Sequence, residues 1–339
     1  MTSPRRRVTA LLTAALLGLV VAGCGGSSSG EPSKRRTPGL AAEPATSPAL
    51  TAAPEGTTSK VGALPQGIVY DATTDQLAVA VRDPYRLVVL DPTTLIANRS
   101  VEIPGKVRHL QLVAPGGPVL VPSETANTLF EVPLDGGPVT STKVPEHPHD
   151  AAAGNGFVMS GNEFDGSISF IKNGQIAKTV GDLKQPGGVV ADGEGHVAVV
   201  DVGAFTVTTY DLKTLTRTAR VPAGAGPTHG VLTGPNRLAV TDTRGGKLLL
   251  YSIDPLKQIG SIDLPGSPYG LTADPTTGTV WVTLTATNKL VGYDVSSAEP
   301  RLVAEYDTVQ QPDTVAVAPG NKVLWVTGTK DGVVQRIRR

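Results

Sequence analysis

The sequence predicts an all-β protein folded as a seven-bladed β-propeller, and three observations carry that expectation. Glycine (39) and proline (28) are abundant among 339 residues, while aromatic residues make up only 4%. That is the composition of a turn-rich chain rather than a helical one. Apolar residues alternate with period two in runs such as HVAVVDV and TVWVTLT, the pattern of half-buried strands. Four such strand-like runs, separated by turn residues, recur at a spacing near 41 residues, the repeat length of a propeller blade.

The chain opens on a targeting segment. Arg5, Arg6 and Arg7 precede Val8 to Val21, 14 residues that are apolar apart from small Thr and Gly. This length suits the hydrophobic region of a signal peptide and is short for a bilayer span. The run ends in Val21-Ala22-Gly23-Cys24, which resembles a bacterial lipobox. The resemblance implies a signal peptide over 1–23, diacylglyceryl transfer to the Cys24 sulfur and cleavage before it. Two or three acyl chains hold a protein stably at a bilayer, where one holds it only marginally. The expected location is therefore the extracytoplasmic side of the cell membrane, lipid-anchored, with the general secretory and twin-arginine export routes both open. Loss of Arg5, Arg6 and Arg7 with the signal leaves 27 basic against 30 acidic side chains. Such a balance lacks the positive footprint of a nucleic-acid binder. Cys24 is the only cysteine, so a disulfide framework and a multi-cysteine metal site are both excluded.

Residues 24–56 read as the lipidated cysteine and a flexible tether. Of the 32 residues in 25–56, 24 are Gly, Ser, Thr, Pro or Ala and none is aromatic, too little apolar surface to offset the entropy of ordering. The propeller is assigned to 57–339. Its clearest repeats begin at Pro186, Pro227 and Pro268, as in PGGVVADGEGHVAVVDVGAFTVTTYDLKTLTRTARV, and weaker copies begin at Pro65, near Val107, at Pro148 and at Pro312. Registered on the residue that opens each first strand, the copies fall at Gly67, His109, Asp150, Gly188, Gly230, Gly270 and Thr314, with intervals of 42, 41, 38, 42, 40 and 44. Only 26 residues remain from Thr314 to Arg339, enough for three strands. The expected fourth strand of the last blade is the N-terminal stretch Thr58 to Ala63, which would close the ring and remove two open sheet edges.

The first strands are built of Gly, Ala, Val and Thr, as in GIVYDA, GVVADG and TVAVAP. These strands crowd toward the axis, where large side chains collide. Trp281 and Trp325 occupy matching points of the last two second strands and are expected to pack between blades. The runs WVTGTKDGVV, VAVVDVGAFTVTTYDLKTLT and WVTLTATNKLVGYD resemble the repeats of YVTN-type and NHL-like propellers. The resemblance covers about 280 residues and implies a fold, not an activity, because propellers host enzymes, binders and scaffolds alike.

In propellers the first strands enter from the face that also carries the loops joining second and third strands. The residue before each registered position is expected to face that funnel: Gln66, Arg108, His149, Gly187, His229, Tyr269 and Asp313. Gln66, Arg108, His149, His229, Tyr269 and Asp313 are therefore the candidate ligand-binding residues, since convergent polar groups in a concave site mark a binding site. The neighbouring loops add Arg82, Asp83, Glu124, Asn162, Glu163, Asp201, Asp242 and Arg244. No calcium-loop spacing is present, and His147-Pro148-His149 has no third ligand near it in sequence, so no metal and no cofactor is expected. There is no Gly-x-Ser-x-Gly elbow, no phosphate loop and no dinucleotide fingerprint, and no catalytic residue is assigned. The expected function is a lipid-anchored binding module of the cell envelope, with an envelope protein or a small molecule as partner. The alternative is an enzyme resembling streptogramin lyases or lactonases and using the same funnel.

Overall fold

Residues 41–339, apart from Pro275 and Ala298, are described by a computed structural model of the chain. The expected signal segment 1–23, Cys24 and the expected tether as far as residue 40 lie outside the described residues. Seven four-stranded antiparallel sheets follow one another around an axis. The innermost strands are Ile68–Asp71, Gln111–Leu112, Pro148–Gly154, Pro186–Ala191, Pro227–Gly234, Pro268–Asp274 and Pro312–Val317, in blades 1 to 7. The only helical elements among the described residues are two short 3-10 turns, Glu124–Ala126 and Pro319–Asn321. Blade 7 takes three strands from the C-terminus, and its outer edge at Val333–Arg338 pairs antiparallel with Thr57–Lys60 in the register Thr57 to Arg336 through Lys60 to Val333.

Alternation explains the strands. In His196–Asp201 and Thr279–Leu284 nearly every residue is buried, because both faces of a middle strand meet a neighbouring blade. Outer strands such as Lys257–Asp263 are exposed on one face and read polar. The core lies between blades. Trp325 and Val334 of blade 7 pack with Val79 and Leu90 of blade 1, and Ala78 and Leu87 of blade 1 pack with Val119 and Val132 of blade 2. Trp281 and Trp325 are both inter-blade residues with satisfied ring nitrogens: Trp281 Nε1 donates to Asn321 Oδ1 at 2.8 Å and Trp325 Nε1 to the Pro92 carbonyl at 2.9 Å. Each fully buried apolar side chain of this kind contributes about 1.5–3 kcal/mol.

One irregularity matters for function. In blades 3 to 7 the ladder between first and second strands breaks just after the opening proline, between Pro148 and Asp150, Pro186 and Gly188, Pro227 and Gly230, Pro268 and Leu271, and Pro312 and Val315. A bulge bends the strand and re-aims the unpaired side chain. The residues so placed are His149, Gly187, His229, Tyr269 and Asp313, at the end of each strand nearest the funnel.

Residues 41–56 depart from the expected flexible tether. Ala42 and Ser47 are buried. Ala45 N donates to Thr285 Oγ1 at 3.0 Å, Ser47 N to Gln311 Oε1 at 2.9 Å, and Gln311 Nε2 to the Ala45 carbonyl at 2.8 Å. Asn288 Nδ2 reaches the Pro48 carbonyl at 3.0 Å. The segment carries few apolar groups, as composition showed, but composition says nothing of backbone amides and carbonyls that find polar partners on a preformed surface. Gly56 then turns the chain into the outer strand of blade 7 at φ +77°, where a Cβ would stand 2.1 Å from the Arg336 carbonyl oxygen. Only glycine satisfies both requirements.

Candidate functional site

The funnel face brings together side chains from blades 1, 2, 3, 5, 6 and 7. Gln66 Nε2 donates to Asp313 Oδ2 at 3.3 Å, and Arg82 donates to Gln66 Oε1. Arg108 lies between blade 2's own Glu124, with Nε 3.1 Å from Oε1, and Tyr269 of blade 6, whose hydroxyl its charge favours in the ionised form. His149 sits between two carboxylates, its Nδ1 2.9 Å from Glu163 Oε2 and 3.2 Å from Glu124 Oε1. His229 Nδ1 donates to the Tyr269 carbonyl at 3.1 Å, and the two rings meet edge to face at 4.6 Å. All six expected funnel residues therefore fall in one neighbourhood, linked pair by pair.

Glu124, Glu163, Lys106 and His109 of this cluster were not assigned from the sequence as ligand-binding candidates. Glu124 and Glu163 stood only among the loop charges; both are buried, and with Lys106 they form its charged centre. Lys106 Nζ is 2.7 Å from Glu124 Oε2, and Gln185 Nε2 donates to Glu163 Oε1 at 2.8 Å. His109 is the fourth. It occupies a registered position, filled elsewhere by Gly, Asp or Thr, and an imidazole there was the signal available. Blade 2 has only a two-residue inner strand, Gln111–Leu112, so the backbone before it leaves the ladder. His109 Nε2 comes 3.1 Å from His149 Nε2, and its ring lies 4.4 Å from that of His229. One ring nitrogen from each of His109, His149 and His229 lies within 4.8 Å of the others. Glu124, His149 and Glu163 form a second, overlapping donor set.

Other sequence candidates have structural roles. Asp201 accepts from Lys184 N at 2.7 Å and Gln185 N at 2.9 Å, and Asp242 from Ala225 N and Gly226 N at 3.0 and 2.8 Å. Each ties the incoming inter-blade loop to the end of a second strand. Asn162 Nδ2 is committed to Ser167 and Ser169, both at 2.9 Å. Arg244 donates to the Ala225 carbonyl at 2.9 Å, and Asp83 is exposed. His147 packs its ring, tilted by 34°, on Phe164 at 4.1 Å.

Burial and partners polarise the cluster. Burial disfavours the charge on His149, but Glu163 and Glu124 outweigh it and raise its pKa to about 9, so it is an imidazolium at neutral pH. Burial raises Glu163 and Glu124, yet His149 and the nearby cations win. Glu163 falls to about 2, and Glu124 is held far below the carboxylate range. Burial drives His229 down to about 3 against the pull of the Tyr269 carbonyl, and it drives His109 well below its usual value with help from His229 and His149. Asp313, buried with only partial relief from Gln66, Arg108 and Arg82, rises to about 6. The site thus mixes a fixed ion network with two neutral imidazoles. His109 and His229 stand at the funnel end of an axial channel of about 440 Å³, within the size range of small-molecule sites.

No protein-family profile and no curated protein matches the sequence. Solved structures do match in fold. A hydrazine synthase of Kuenenia stuttgartiensis is similar with a TM-score of 0.69 at 13% identity, covering 81% of this chain and 96% of its own. A streptogramin B lyase gives 0.69 at 15% identity, covering 84% and 98%. The Cps50 (Swd1) β-propeller domain of Myceliophteria thermophila gives 0.71 at 14%, covering 84% and 99%. Likeness at such identity establishes the propeller, and the varied identities of these neighbours agree that the fold alone carries no single activity.

Proposed function

We propose that this chain is an extracytoplasmic lipoprotein, anchored at Cys24, whose propeller binds a small anionic ligand at the funnel mouth. One observation carries the ligand class. The carboxylate of Glu43, itself 67% exposed, approaches Arg108 Nη1 at 3.8 Å. It marks the direction from which a ligand carboxylate or phosphate would meet the guanidinium, with Tyr269 beside it for an apolar part. Among the described residues no helix is long and apolar enough to cross a membrane, so on this reading attachment rests on the lipid.

Two experiments test the two halves. Cys24→Ala is expected to abolish incorporation of labelled fatty acid and to remove the chain from the membrane fraction. Full membrane retention with a mature N-terminus elsewhere would refute the anchor. For the ligand, the purified protein is titrated calorimetrically, in chelator, with a panel of small carboxylates and phosphates. Arg108→Ala should weaken any binder about tenfold or more, the worth of one hydrogen bond to a charged group, while Lys106 and His149 still pair Glu124 and keep the fold. A panel member that binds both forms equally would place the site away from the funnel.

A further inference from the structure

We infer that His109, His149 and His229 form a binding site for a zinc-class transition-metal ion at the inner end of the funnel, open to the axial channel. The inference goes beyond the proposed anion binding and does not depend on it. Three features of the geometry carry it.

The first is convergence. The three imidazoles come from blades 2, 3 and 5, and one nitrogen of each lies within 4.8 Å of the other two, with His109 Nε2 and His149 Nε2 at 3.1 Å. Zinc–nitrogen bonds of about 2.0–2.1 Å in a tetrahedral site set the ligand nitrogens a little over 3 Å apart. The closest pair is already at that spacing, and the third needs a small side-chain adjustment.

The second is the outer shell. His149 is held through Nδ1 by Glu163 and Glu124, and His229 through Nδ1 by the Tyr269 carbonyl. That leaves Nε2 as the ligating atom of each, and on His149 the metal ion takes the place of the Nε2 proton, which is released to solvent. Metal-bound histidines commonly give their other ring nitrogen to a carboxylate or a backbone carbonyl, which fixes ring orientation and strengthens the donor. Glu163 is fixed in turn by Gln185. The carboxylates are thus occupied by His149, Lys106, Arg108 and Gln185 and serve as supports rather than ligands.

The third is the unfilled side. His149 and His229 are buried, but His109 and His229 border the 440 Å³ channel. Three protein ligands with an accessible fourth position is the arrangement of a zinc site that takes water or a substrate atom, as opposed to a closed structural site. All-imidazole ligation favours zinc, copper, nickel or iron over calcium and magnesium, which take oxygen.

The test uses the full chain without a polyhistidine tag, stripped with chelator and titrated with Co²⁺ and Zn²⁺. The wild type is expected to take up one ion, with the visible absorption of low-coordinate Co²⁺ bleached by added Zn²⁺. His109→Ala should abolish the cobalt spectrum, and Glu163→Gln should retain it with affinity lowered about tenfold or more. His196→Ala, at a surface histidine paired with Asp192, should change nothing. Melting curves in chelator establish that each variant folds. If the wild type binds no more tightly than His109→Ala, or if a folded His109→Ala keeps the spectrum, the site does not exist.

Discussion

Deleting residues 57–63 is expected to destabilise the propeller by about 3–5 kcal/mol, since a four-residue ladder is lost and a sheet edge is opened. For a domain of this size that is a fall in Tm of roughly 10 °C. The strand Thr57–Lys60 is itself mostly exposed, so its contribution comes through what it covers. It pairs with Val333 to Arg336 in a strand whose Val334 and Ile337 are fully or nearly fully buried. Val61, just beyond it, packs on the cluster shared by blades 7 and 1 and hydrogen-bonds the Gly332 carbonyl at 3.0 Å. Deleting 41–50 should cost less but remain measurable, because that segment loses partly exposed hydrogen bonds to Thr285, Gln311 and Asn288 and little apolar burial. Thermal melts of the two deletions beside the wild type make the check. Equal melting temperatures for both deletions would show that the ring does not depend on the N-terminal strand.

Glu124→Ala should be nearly as damaging, at about 3–5 kcal/mol, because it removes one member of a buried ion network and leaves Lys106 and Arg108 without their buried carboxylate, while His149 keeps Glu163. Its carboxylate stands 2.7 Å from Lys106, 3.1 Å from Arg108 and 3.2 Å from His149, at 2% side-chain exposure. Without it three positive groups face one another around a cavity. Glu124→Gln keeps the shape and one acceptor and should lose markedly less. Denaturant unfolding of the two variants is the measurement. If both fall by under 1 kcal/mol, water rather than Glu124 is neutralising these cations.

How much of this was legible in sequence can be judged residue by residue. The blades were legible because they repeat one local physical pattern: a small-residue strand for the crowded axis, opened by a proline in every blade but the second, and an alternating strand buried on both faces. Gln66, Arg108, His149, His229, Tyr269 and Asp313 were readable from the sequence as neighbours for the same reason, since each holds the same place in its repeat. Glu124 and Glu163 were visible only as loop charges, and nothing local distinguished them from Asp201 or Asp242, which proved to hold backbone amides. His109 was passed over because the register placed it on the channel wall, among positions filled by glycine, aspartate and threonine.

The sequence by itself determined the fold class, the number of blades and the face on which polar groups gather, because these follow from short-range periodicity and from steric crowding at the axis. Only the tertiary structure decided which polar groups touch. His109 and His229 are 120 positions apart, and their rings meet only because a closed ring sets blades 2 and 5 across one axis. The same holds for residues 41–50. Their composition suits a free chain, and their docking depends on amide and hydroxyl partners that blades 6 and 7 supply once the ring has formed.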